Sequence, residues 1–289
     1  PADGGSFKQS EIQYPFQLAS ILRGPEMAIR EDRTAPLVCM GIYFAGGKSR
    51  EDGGNGGITR LMTNLVARGS VEMQERWFYH QLEIYGGRLR PVVADDYFGF
   101  EFSILSPHFA AGFDLLKRLI KAPEFSPEEV LRQKNMLLRQ AVRRRHSRLY
   151  ARDIARRALF PAFPYGTDGF GTEEGLRALT PDALLEWHSD LVKNRKPYVA
   201  IVGDTKGTSL ALHFVGEFSG SRMRESVLPD SWAPPVEKGE TIREGWRKNQ
   251  SLILVGFQAP PSDDEDSAAA TILAGLAGSP GTLSAQFKD

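Results

Sequence analysis

Residues 53–70, "GGNGGITRLMTNLVARGS", decide how the rest of the chain is read. The glycine run ends at Gly57, and Ile58, Leu61, Met62, Leu65 and Val66 then recur at three- and four-residue spacing, the mark of one buried helix face. Gly69 closes the segment as a helix stop. On such a helix Arg60 and Asn64 stand four residues apart on one face with Thr63 beside them. A metal-binding helix places two ligands and a general base at that spacing. Here the spacing fits and the residue types do not.

Upstream, "FQLASILRG", "EMAIREDRTAP" and "LVCMGIYFAGG" alternate short apolar runs with turn residues and predict consecutive antiparallel strands. Downstream, a second helix is expected over about residues 73–84, followed by strands in "RLRPVVA" and "YFGFEFSIL" around the turn "ADD". "SPHFAAGFDLLKRLIKAP" is an amphipathic helix stopped by proline. "SPEEVLRQKNMLLRQAVRRRHSRLYARDIARRALF" reads as one long helix, with Ser126 as N-cap and Pro127 at its first position. "TPDALLEWHSDLV" predicts a capped helix, "RKPYVAIVGD" a buried strand and "TSLALHFVGEFSG" a further helix. The fold class is α+β, a two-layer arrangement of an antiparallel sheet with helices packed on one face.

Residues 1–225 form the expected first domain, and the proline- and charge-rich residues 226–240 a linker. Residues 241–289 read as the beginning of a second, similar domain, with a strand in "SLILVGFQAP" and a helix in "DEDSAAATILAGLAG". About fifty residues cannot bury a core comparable to the first, so the second domain reads as truncated.

The 289 residues are 41% hydrophobic and 25% charged, with 36 basic and 36 acidic side chains, so no global field steers the protein toward nucleic acid or anionic lipid. The one cysteine, Cys39, excludes an intramolecular disulfide and reads as a buried strand thiol. No apolar run reaches the ~20 residues that span a bilayer. The chain starts at Pro1; with a signal peptide removed it would be periplasmic, and otherwise cytoplasmic.

The order of these segments, above all "MAIREDRTAPLVCMGIYFAGGKSRED", "GGITRLMTNLVARGS", "LEIYGGRLRPVVADDYFGFEFSIL", the long basic helix and "FPYGTDGFGTEEGLRALTPDALLEWHSDL", resembles the pitrilysin/insulinase family of zinc peptidases. That family includes the mitochondrial processing peptidase subunits. The resemblance implies an inverted His-x-x-Glu-His motif on the first helix, in which two histidines hold zinc and the glutamate serves as general base. Aligned on the flanking glycines, Arg60 and Asn64 stand on the two histidines and Thr63 on the glutamate. The family's third ligand, a glutamate on the long helix, falls on Gln140, and an acidic position seven residues earlier on Gln133.

Arg60 repels a cation, Thr63 has no basic group near neutrality, and Asn64 and Gln140 are poor zinc ligands. The five histidines lie at least 25 positions apart, so none forms an i,i+4 pair. The resemblance therefore implies a non-catalytic member with no cofactor of its own, zinc being expected only in a catalytic partner subunit. The vacated positions Arg60, Asn64, Gln133 and Gln140 are expected to form a polar network.

The implied partners are a catalytic subunit in a heterodimer or further copies of the chain, with an extended peptide added along the edge strand at Arg88, Leu89, Arg90 and Val92. Pro91 suits an edge, since it offers no donor to an inner ladder. A purely structural scaffold resembling the respiratory core proteins is the alternative. So is an anion-binding module on residues 132–157, which hold ten Lys and Arg against the single acid Asp153. That helix reads as a solvated face, or one meeting an acidic subunit, with Leu131, Leu137, Leu138, Ala141, Leu149 and Ile154 turned inward. Aromatic interleaving for base stacking is limited to Tyr150, which argues against nucleic acid.

Overall fold

The computed structural model describes residues 17–20, 25–52, 54–147, 149–161, 164–166, 169–205, 218, 239–245, 251–261 and 264–278. Its centre is a six-stranded sheet of β1 (Gln17–Ser20), β2 (Glu26–Glu31), β3 (Leu37–Ala45), β4 (Arg88–Val93), β5 (Tyr97–Leu105) and β6 (Tyr198–Gly203), in the order β1-β2-β6-β3-β5-β4. Two-residue alternation sends Val38, Met40, Ile42 and Phe44 of β3, and Phe98, Phe100, Phe102 and Ile104 of β5, into the core. The helices α1 (Ile58–Val66), α2 (Glu75–Ile84), α3 (Phe109–Lys121), α4 (Pro127–Arg145), α5 (Leu149–Leu159), α6 (Glu173–Ala178) and α7 (Pro181–His188) complete the unit. A separate helix, α8, runs over Ser267–Gly278.

The sheet is mixed rather than purely antiparallel. β6 inserts between β2 and β3, pairing parallel with β2 and antiparallel with β3, so β2 and β3 are not neighbours despite the short turn between them. Both neighbours of β6 bury their alternate residues, and a strand as apolar as "YVAIVG" belongs at the centre of a sheet. Cys39 departs from expectation as well. It is exposed, because Val38 and Met40 take the core side of β3 and the pleat turns Cys39 to the open face.

The single long helix expected over residues 126–160 is two. α4 ends at Arg145, where the Ser147 hydroxyl donates to the Arg144 carbonyl (2.7 Å) and the His146 amide donates back to Arg143. Arg144 then spans the break in a two-pronged pair with Asp153 of α5 (2.5 and 2.7 Å). Of the residues expected inside, Leu137 and Ala141 are buried and Leu138 and Ile154 half-buried, whereas Leu131 and Leu149 are exposed. Ser126, Thr172 and Thr180 cap α4, α6 and α7 by accepting a backbone N–H three residues on.

Residues 251–261 form no strand, contrary to the expectation for "SLILVGFQAP"; no ladder partner for them stands among the described residues. The helix expected next to them is α8. The helix expected over residues 208–220 and most of the linker lie outside the described residues.

His188 closes the core at the end of α7. It is 1% exposed, its Nε2 bonds the Ile120 carbonyl at 2.8 Å, and burial lowers its pKa to about 4. The unfolded chain takes up this proton near pH 6.5 and the folded chain only near 4, so stability present above pH 6.5 is lost as the pH falls through that window. The loss attributable to this group is about 3 kcal/mol by pH 4. Urea unfolding across pH 7 to 4 should show it, and His188→Gln, which keeps a donor without the titration, should flatten the slope.

Candidate functional site

The helix α1 is set in place by a carboxylate. Glu51 is buried, and its two oxygens accept the backbone N–H groups of Gly57 (2.8 Å) and Thr59 (3.0 Å) at the first turn. Burial pushes the Glu51 carboxyl above its ordinary range, against the pull of these donors and of Lys48. Gly57 has φ +95°, and a Cβ there would lie 2.9 Å from the Cα of Gly171, itself at φ +84°. A Cβ on Gly171 would in turn collide with the Gly56 carbonyl. Two glycines therefore let the 169–171 loop press against the start of α1.

That contact determines what Arg60 does. Its Nε donates to the Gly169 carbonyl at 2.5 Å, and its guanidinium lies 4.9 Å from the centre of the Phe170 ring. Arg144, one turn beyond Gln140 on α4, comes within 5.5 Å of the same ring while holding Asp153. Thr63 is fully buried and donates its hydroxyl to the Thr59 carbonyl at 2.7 Å, one turn back on its own helix. Asn64 and Gln140 are half-buried. Gln133 is buried on α4 but bonds Glu129 (2.9 Å), which also holds Arg68 at the end of α1 (2.9 Å). The expected polar network of Arg60, Asn64, Gln133 and Gln140 is thus replaced by two separate clusters.

Beside the first of these, Lys48 is buried and pairs with Asp95 at 2.5 Å, and Arg156 of α5 pairs with the other oxygen of the same carboxylate at 2.7 Å. Burial alone would raise the Asp95 pKa; the bonds and charges of Lys48 and Arg156 outweigh it and hold the carboxyl below its ordinary range. Tyr165 donates to Asp96 at 2.5 Å, and with its burial this contact raises the phenol pKa. The β4–β5 turn is thereby tied to α5 and to Tyr165.

β4 is the outer strand of the sheet and lies alongside α1. Arg88 and Arg90 are exposed, Leu89 is buried, Val92 is half-buried, and Arg90 pairs with Glu101 across the ladder. The Ala94 N–H donates to the Tyr97 carbonyl, which fixes the alternation. The ladder bonds of β4 are made at Val92, Arg90 and Arg88, and the outward main-chain groups belong to Leu89, Pro91 and Val93.

Residues 26–160 match the family model of insulinase, peptidase family M16. They form an M16 peptidase-family domain. A Helicobacter pylori protein named non-peptidase homolog YmxG is 22% identical over 61% of this chain and 41% of its own length. A Bacillus subtilis protein of the same name, described as an uncharacterized zinc protease, is 18% identical over 63% of this chain and 44% of its own. The solved structure of a peptidase M16 inactive domain from Pseudomonas fluorescens superposes with a TM-score of 0.64 at 20% identity, over 71% of this chain and 50% of that one. The chain thus spans about half the length of the relatives it matches.

The residues of this M16 domain do not fit zinc. Arg60, Thr63 and Asn64 present a guanidinium bound to a carbonyl and an aromatic ring, a hydroxyl spent on its own helix, and an amide. No general base stands at Thr63, and among the described residues no three His, Cys, Asp or Glu side chains converge to hold a metal ion. The domain is a degenerate, non-catalytic member, in keeping with the names of the Helicobacter and Pseudomonas relatives. Phe170, Gly169 and Arg144 were not foreseen at this site. The signal available in the sequence was an aromatic residue between two glycines, in "GFG", in a family that should have no cation on its first helix at Arg60.

Arg60→Ala should destabilise the domain by about 2 kcal/mol in urea unfolding, from the lost charge-assisted hydrogen bond and cation–π contact. Arg60→Lys should recover only part of that, because an ammonium cannot both lie on Phe170 and reach Gly169 with a flat edge.

Proposed function

We propose that this chain is a non-catalytic M16-type half that supports peptide binding and proteolysis by an active, zinc-carrying partner subunit. The observation that carries this reading is the fate of Arg60. The helix α1 has a bonded first turn, a close glycine contact and an edge strand beside it, and an arginine is anchored at the position that the resemblance gives to a zinc ligand. The β4 edge beside this helix offers main-chain groups that an extended peptide could meet. The names of the Helicobacter relative and of the Pseudomonas domain support the non-catalytic half of the reading.

An extended peptide on β4 would meet donors from Leu89 and Val93 and acceptors from Leu89, Pro91 and Val93, with Arg88 and Arg90 beside it. The test is metal analysis and peptidase assay of the purified chain, alone and mixed with a homologue encoded nearby that carries intact His-x-x-Glu-His. The chain alone should hold no stoichiometric zinc and cleave nothing. Addition to the homologue should raise its kcat/KM by about tenfold or more. Zinc at one equivalent in the isolated chain, or a homologue equally active without it, would sink the proposal.

A further inference from the structure

The side chains that β4 turns to the open face of the sheet are unevenly matched by their neighbours. Arg88, Arg90 and Val92 alternate along that face, with Leu89 buried on the other side. Across the ladder they stand opposite Ser103, Glu101 and Gly99 of β5. Arg90 therefore meets a carboxylate, and its Nε donates to Glu101 at 2.9 Å. The second oxygen of Glu101 accepts from the Tyr43 hydroxyl of β3 at 3.4 Å, so this acid is engaged from both sides. Arg88 meets a serine. It is exposed and forms no ion pair among the described residues.

Val92 differs again. It is half-buried, its opposite Gly99 carries no side chain, and behind Gly99 the Tyr43 ring meets Tyr97 edge to face at 5.6 Å. Over about 13 Å of strand the outer margin thus passes from an unmatched cation, through a pair closed within the sheet, to an apolar end. Arginines on an edge strand also guard it against pairing with another sheet. That role makes no distinction between Arg88 and Arg90, whereas the ladder does.

A peptide paired with the outer row sets its alternate side chains beside Arg88, Arg90 and Val92, since residues opposite one another share a face of the sheet. We infer that the peptides taken by the β4 edge carry an acidic side chain beside Arg88 and, four residues away, an uncharged side chain beside Val92. A guanidinium grips a carboxylate with two donors, and among the described residues no acid holds this one. An acid beside Arg90 gains less, because that guanidinium already holds Glu101. A basic side chain beside Arg88 is repelled. This preference rests on the proposed support of peptide binding and adds to it the charge of the ligand.

The test titrates the 289-residue chain into capped, threonine-rich peptides of about nine residues, in which a single Glu, Gln or Lys is moved along the sequence. Binding is followed at about 20 mM salt by the anisotropy of an uncharged dye on the peptide. At one position the Glu peptide should bind about threefold more tightly than the Gln peptide and about tenfold more tightly than the Lys peptide. Salt at about 0.5 M should erase the difference. R88Q should abolish the preference while leaving the affinity of the Gln peptide unchanged, and R88E should reverse it in favour of Lys. Binding indifferent to charge at every position, or a preference for Glu that R88Q leaves intact, would overturn the inference and leave the edge standing as a peptide site. Failure of every peptide to bind would remove peptide support from the proposed function, and this inference with it.

Discussion

The burial of α1 is the constraint on which the rest of this domain depends. Seven of its nine residues are buried, so every polar group it carries inward must find a partner within the protein. Glu51 takes the amides at the first turn, Thr63 turns back on the Thr59 carbonyl, and the Thr59 hydroxyl donates to Gly47 while accepting from Trp187 of α7. None of these bonds involves a metal. A helix anchored in this way is held in position by the protein's own groups.

Arg60 needs partners of its own, because a guanidinium beside a buried helix face is costly unless it is bonded. A backbone carbonyl and an aromatic face take the charge, and they are within reach because Gly57 and Gly171 let two backbones approach more closely than any side chain would allow. Arg144 shares the ring and brings its own counter-charge in Asp153.

Much of this was legible in the sequence. The period of α1, the alternation of β5 and the caps at Ser126 and Thr180 are local patterns, and local patterns survive into the fold. What was not legible is non-local. No short segment says that β6, a hundred and fifty residues after β3, inserts beside it and separates it from β2. The pleat that exposes Cys39 is set by which neighbour is buried, and the helix break after Arg145 depends on Asp153 lying within reach of Arg144. Phe170 was hidden for the same reason, since it sits in a loop and meets Arg60 across 110 residues of chain.

The edge strand shows how a single residue can set a function without any side-chain chemistry. Because Val92, Arg90 and Arg88 face β5, the outer row of β4 offers donors at Leu89 and Val93 and a gap at Pro91 between them. A gap in the middle of the row denies a full ladder to a second exposed strand, which is how natural edges resist pairing with one another. It leaves the carbonyls at Leu89, Pro91 and Val93, so a short peptide can still gain acceptors along the whole row and donors at its two ends. The edge is therefore weak as a template for aggregation and adequate for a transient ligand, and the side chains flanking it, Arg88 and Arg90, favour a ligand that brings acids. Arg90 is already drawn to Glu101 across the ladder, so Arg88 is the residue left to read the charge of what arrives.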